Sequence, residues 1–167
     1  AAPLADGRVL VVGGLIVSYT DTAEIYDPAT GTFSPTGSMS VARWAPAAAP
    51  LPDGRVLVAG GTVSSGNSTS VEIYDPVTGT FSPTGSMSAR RWGPIAAPLP
   101  NGSVLVAGGQ GGSIQASAEI YDPATGTFSS TGPMATARRF FAAAPLSDGR
   151  VLVTGGENGS GYLQSTE

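Results

Sequence analysis

Cysteine, histidine and lysine are absent from this 167-residue sequence, and all eight basic residues are arginine. Without cysteine there is no disulfide framework, no thiolate nucleophile and no cysteine metal site. Without histidine, the commonest general base and the commonest transition-metal ligand are missing, and no cofactor is expected. Charge is sparse as well, at 12 % of residues. The net charge of −4 and a pI near 4.6 argue against a surface built to neutralise phosphates, so nucleic acid is not an expected partner. The longest apolar runs, such as Val9–Val12, fall far short of the roughly 18 residues a membrane span requires.

What the chain has in quantity is glycine, 24 residues, and proline, 14. The glycines are ordered. Gly13-Gly14, Gly60-Gly61, Gly108-Gly109 and Gly155-Gly156 recur at intervals of 47 or 48 residues. Asp6-Gly7, Asp53-Gly54, Asn101-Gly102 and Asp148-Gly149 keep the same register, as do Tyr26-Asp27-Pro28, Tyr74-Asp75-Pro76 and Tyr121-Asp122-Pro123. Periods of this length mark a repeat architecture.

One unit, from Arg43 to Ser88, predicts four antiparallel strands, a to d. Ala47-Ala48-Ala49 is small and extended, and Pro52-Asp53-Gly54 supplies a tight turn. Arg55-Val56-Leu57-Val58-Ala59 reads as a buried strand ended by the glycine pair. Val71-Glu72-Ile73-Tyr74 alternates as a half-buried strand does. Asp75-Pro76-Val77-Thr78-Gly79 is turn chemistry: Asp accepts hydrogen bonds, Pro presets φ and Gly takes the left-handed position. Thr80-Phe81-Ser82 is the fourth strand. Four-stranded sheets at this interval are expected to be β-propeller blades.

These residues resemble the kelch repeat, whose pattern is a diglycine closing the second strand, then a Tyr and an aromatic separated by six residues. The pattern is met by Gly13-Gly14 with Tyr26 and Phe33, by Gly60-Gly61 with Tyr74 and Phe81, and by Gly108-Gly109 with Tyr121 and Phe128. Phe stands where many kelch units have Trp. The resemblance, of a bacterial type, implies an all-β propeller with strand a lining a central channel. It is similar in fold to the galactose oxidase type, whose copper site needs His and a Cys–Tyr crosslink that this chain cannot supply. The order of strands is expected to be b-c-d, a-b-c-d, a-b-c-d, a-b. That is about three and a half blades, divided at 1–42, 43–89, 90–136 and 137–167.

The a–b and c–d turns share one face and vary little; the b–c and d–a connections share the other, where the copies diverge. A rigid scaffold displaying divergent loops suits a binding surface. Candidate binding residues there are Tyr19, Asp21, Asn67, Ile114, Gln115, Glu157 and Tyr162. Arg43, Arg91 and Arg138 each follow a Met by four residues. They are expected either to ring the channel mouth and hold an anion or to pair with acids and knit the blades together. The recurring Glu24, Glu72, Glu119 and Glu167 read as structural.

Only Asp21 and Glu157 diverge as acids on the variable face, thin support for a hydrolytic carboxylate pair, and no enzymatic activity is expected. The expected function is a non-enzymatic scaffold for a protein or a glycan, the alternative being a structural or surface-coat repeat element. The chain reads as an excerpt of a longer propeller, its open edges covered by further blades or by self-association. Secretion or display on a bacterial cell surface is the expected location.

Overall fold

The computed structural model describes residues 1–167, all strands, turns and connections, with no helix that could cross a membrane. The first sheet holds β1 (Ala2–Pro3), β2 (Val9–Leu15), β3 (Tyr19–Asp27) and β4 (Thr32–Pro35), hydrogen-bonded in that order. The second holds β5 (Ala47–Pro50), β6 (Val56–Ala59), β9 (Val71–Asp75) and β10 (Thr80–Pro83). Its b–c connection carries a small hairpin of its own, β7 (Thr62–Val63) with β8 (Gly66–Asn67). The third sheet comprises β11 (Ile95–Pro98), β12 (Val104–Ala107), β13 (Ala118–Asp122) and β14 (Thr127–Thr131). A final pair, β15 (Ala142–Pro145) and β16 (Val151–Thr154), is joined by one bridge from Thr154 to Thr166. Every pairing between these strands is antiparallel. The sheets are propeller blades.

Three sequence expectations need correction. The first blade does have a strand a, the two-residue β1, too short to leave a periodic signal. β2 runs through Gly13-Gly14 to Leu15, with an irregularity between Val12 and Gly14, so there the glycine pair lies inside the strand. Val71–Tyr74 is buried on both faces and not half-buried, because a neighbouring blade covers each side.

The core sits between blades, not within them. Leu10, Val12 and Ile25 of the first blade pack on Val56, Val58 and Tyr74 of the second. Leu57, Val71 and Ile73 of the second pack on Val104, Val106 and Tyr121 of the third. The a strands lie against one another from blade to blade, β1 on β5, β5 on β11 and β11 on β15, as strands around a common axis must.

The c–d turns work by local chemistry. The side chains of Asp27, Asp75 and Asp122 accept from the amides of Ala29, Val77 and Ala124 at 2.8–2.9 Å. Across each hairpin a Tyr faces a Phe, at ring separations of 4.8–5.0 Å. The Tyr74 and Tyr121 hydroxyls reach back to Thr36 and Thr84 of the preceding blade at 2.8 Å.

Candidate binding face and the arginine staples

Each d–a connection is fastened to two blades at once. The Arg43 amide donates to the Thr20 carbonyl at 3.1 Å, and its own carbonyl accepts from Gly14 at 3.0 Å, both in the first blade. Its guanidinium enters the second blade, donating to the Gly60 carbonyl at 2.7 Å, the Ser70 carbonyl at 3.1 Å and Glu72 Oε1 at 2.7 Å. Arg91 repeats this with Gly108 and Ser117 at 2.8 Å and Glu119 at 3.0 Å. Arg138 does so with Gly155 at 2.7 Å and Glu167 at 2.6 Å. The second oxygen of each Glu accepts a connection amide, from Ser40, Ser88 or Ala135.

These arginines are therefore unavailable to a ligand. All three are 0 % exposed, and the expectation that they ring the channel mouth and hold an anion is overturned: a desolvated guanidinium needs fixed partners, and the blade carbonyls and Glu carboxylates supply them. The structural reading stands in its place.

Beyond the staples, the loop face is built from three lateral triads. A residue after each Arg bridges the start of a b–c loop, which bridges the loop's return: Trp44 to Thr62 to Asn67, Trp92 to Gln110 to Ile114, and Arg139 to Glu157 to Tyr162. The rings form a row around the axis. Tyr19 stacks on Trp44 with centroids 6.5 Å apart, Trp44 lies 5.0 Å from Trp92, and Trp92 meets Phe140 edge-on at 4.8 Å. The next residues inward, Ala45, Gly93 and Phe140, are all left-handed, with φ of 50°, 63° and 53°. They are linked in series by hydrogen bonds, the Gly93 amide to the Ala45 carbonyl and the Phe140 amide to the Gly93 carbonyl.

The loop candidates divide by what their polar atoms already do. Asn67 donates to the Gln110 and Gly111 carbonyls of the next blade at 2.9 and 3.0 Å and accepts from Thr62; it tethers two loops and has no free donor. Gln115 likewise donates to the Arg90 carbonyl and accepts from Ser117. Tyr19 and Ile114 are half-buried. Asp21 and Tyr162 are exposed, and the b–c hairpin tip of the first blade presents Ile16 and Val17 almost bare.

Sequence reasoning passed over Arg139 and Phe140 as site residues. The signal was present: counted from Met134, Arg139 occupies the Trp44 and Trp92 position, and Phe140 the position of Ala45 and Gly93.

A family model described as the Kelch motif matches residues 1–40, 43–88 and 91–135. The chain is a kelch-repeat protein. Kelch repeats in general are protein-interaction scaffolds without catalytic activity. No curated protein matches the chain. In kelch terms, the first glycine of each diglycine is required by the staple: a Cβ on Gly13, Gly60 or Gly108 would lie 2.4–2.5 Å from the carbonyl oxygen of Arg43, Arg91 or Arg138.

Proposed function

We propose that this kelch chain is a rigid scaffold that engages a protein partner through the face formed by its b–c loops and d–a connections. One contrast carries the reading. On the opposite face the turns are near copies whose side chains satisfy one another, Arg8 with Asp6, Arg55 with Asp53 and Arg150 with Asp148 at 2.6–2.7 Å. On the loop face the copies differ, and Ile16, Val17, Asp21 and Tyr162 are exposed without such pairing. Aromatic and aliphatic side chains in that state are the usual anchors of an interface.

Site-specific photocrosslinking tests this. A photoreactive residue at Val17 is expected to trap a partner that one at Val77, exposed on the turn face, does not. Equal trapping at both positions would discard the reading.

A second reading, lateral assembly as a structural or surface-coat element, is favoured by the first blade's outer surface. Glu24 and Phe33 are exposed there, whereas Glu72 and Glu119 are buried in the following blades. Glu24 occupies there the position that Glu72 and Glu119 hold in the following blades. Light scattering after size exclusion separates the readings. A mass that grows with concentration, and stops growing in Glu24→Lys, supports assembly; a constant monomer mass supports the scaffold alone.

A further inference from the structure

Of the four a–b turns, three read Asp-Gly-Arg and the third reads Asn101-Gly102-Ser103. The backbone is the same in all four. At the third, the Leu99 amide donates to the Ser103 carbonyl and the Gly102 amide to the Leu99 carbonyl, both at 2.9 Å, and the turns at Leu4, Leu51 and Leu146 are bonded alike. The side chains differ. Asp6, Asp53 and Asp148 each accept the amide two residues on through Oδ1 at 3.0–3.1 Å and an arginine Nε through Oδ2 at 2.8 Å. Asn101 Oδ1 accepts the Ser103 amide at 3.1 Å, but Ser103 brings no guanidinium.

The same geometry has different chemical consequences for the two residue types. A side-chain oxygen bonded to the amide two residues on closes a ring of atoms over the intervening peptide link. In the third turn this holds the Asn101 carboxamide carbon over the Gly102 nitrogen. Gly102 has no Cβ to obstruct the approach, and Asn101 is exposed to water. An ionised carboxylate repels a nucleophile, and the arginines keep Asp6, Asp53 and Asp148 ionised. The Asn101 carboxamide is neutral and electrophilic, and the Ser103 amide already donates to the oxygen on which negative charge would develop.

We propose that Asn101 is a site of spontaneous deamidation through a succinimide. The Gly102 amide gives its proton to water, and its nitrogen forms a bond to Asn101 Cγ. The bond from Cγ to Nδ2 breaks, and the leaving nitrogen takes up a proton from water and departs as ammonia. Water then opens the ring at either carbonyl and leaves aspartate or isoaspartate; nothing is oxidised or reduced, and water is the one co-reactant. Both products add negative charge to the turn face. Isoaspartate also lengthens the main chain within a turn closed by Leu99 and set against the second blade, where a Cβ on Gly102 would lie 3.0 Å from Pro52 Cγ. The turn has a blade on either side of it, since Pro100 in turn abuts Gly149. This site is independent of the protein-binding reading, and either stands without the other.

The chain carries its own control. Its three asparagines fall on separate tryptic peptides, Val56–Arg90, Trp92–Arg138 and Val151–Glu167, so the other Asn-Gly pair, Asn158-Gly159, is not mistaken for this one. Asn67 precedes a serine and is clamped through both side-chain atoms by Thr62, Gln110 and Gly111. The test holds the intact chain in mildly alkaline buffer, with and without denaturing urea, and follows by mass spectrometry the exchange of –NH2 for –OH on each peptide. In the folded chain Asn101 is expected to convert about tenfold or more faster than Asn67, into two products of equal mass that separate on chromatography. Asn101→Gln, whose side chain would have to close a larger ring, is expected to abolish the conversion of that peptide. Three results overturn the proposal. Asn101 could stay intact in the folded chain while it converts in urea, it could convert no faster than Asn67, or it could give aspartate alone, the product of hydrolysis without the ring.

Discussion

Arg91→Met is expected to destabilise the chain by about 3–5 kcal/mol, the usual cost of stranding one member of a buried ion pair. The guanidinium is fully buried and donates to the carbonyls of Gly108 and Ser117, to the Ser117 hydroxyl and to Glu119. Methionine fills much of the space and satisfies none of those acceptors, so the loss is electrostatic and not a cavity. A urea midpoint that falls with unchanged slope is the expected signature. The double variant Arg91→Met, Glu119→Leu is expected to regain much of the loss, because removing both charges removes the desolvation penalty too. A single-variant loss below about 1 kcal/mol, the range of an exposed pair, would show that the staple does not hold the blades.

The same pair sets an acid limit. Burial pushes the Glu119 carboxyl up, but the Ser88 amide and hydroxyl and the Arg91 guanidinium together outweigh it, leaving the pKa below the ordinary 4.5. A carboxylate more acidic in the folded than in the unfolded chain contributes stability that is complete above about pH 4.5. That contribution is lost as pH falls through the lower folded value. In Arg91→Met one counterweight to burial is gone, so the folded pKa of Glu119 rises toward the unfolded value and less stability is lost through this carboxyl on acidification: the acid limb of the stability curve becomes shallower. Urea midpoints taken between about pH 7 and pH 3 read this directly, and an unchanged acid limb would assign the limit to other carboxylates.

Local chemistry was legible in the sequence, and contacts between repeats were not. Asp75-Pro76-Val77-Thr78-Gly79 announces its turn because side-chain acceptor, ring constraint and left-handed glycine all lie within five residues. The four-strand unit follows from such turns, and the radial arrangement from their period. By contrast, Asn67 looks the same in a string whether it faces solvent or clamps Gln110 and Gly111 some 43–44 residues away. Glu24 and Glu72 share a motif, yet one is exposed and the other 2 % exposed, because burial depends on the neighbouring blade. Strand β1 escaped notice since two residues carry no alternation. Phe140 was hard to see for a related reason: it stands at the position of Ala45 and Gly93, and a repeat is legible by what recurs.

Gly60→Ala is expected to be as damaging as loss of the arginine, and a paired control separates its two causes. Gly31 and Gly60 both have φ of +70°, so alanine at either carries the left-handed penalty of about 1–2 kcal/mol. At Gly31 nothing lies within 4 Å of the added methyl, whereas at Gly60 it would sit 2.4 Å from the Arg91 carbonyl oxygen and 3.2 Å from Met87 Cε. The methionine tip can swing aside. The carbonyl cannot, since it accepts the Gly61 amide at 2.8 Å and belongs to the residue whose side chain pins the third blade. Moving it breaks the staple from its backbone end. Gly31→Ala should therefore lose about 1–2 kcal/mol and Gly60→Ala at least about 3 kcal/mol, the scale of a broken buried network. In this nearest-neighbour architecture the added loss belongs to the junction, so exchange protection in Gly60→Ala should fall at β6 and β12 before β2. Equal losses for the two alanines would mean that glycine is needed there for its dihedral angle alone, and that the close approach of blade to blade costs the second strand nothing.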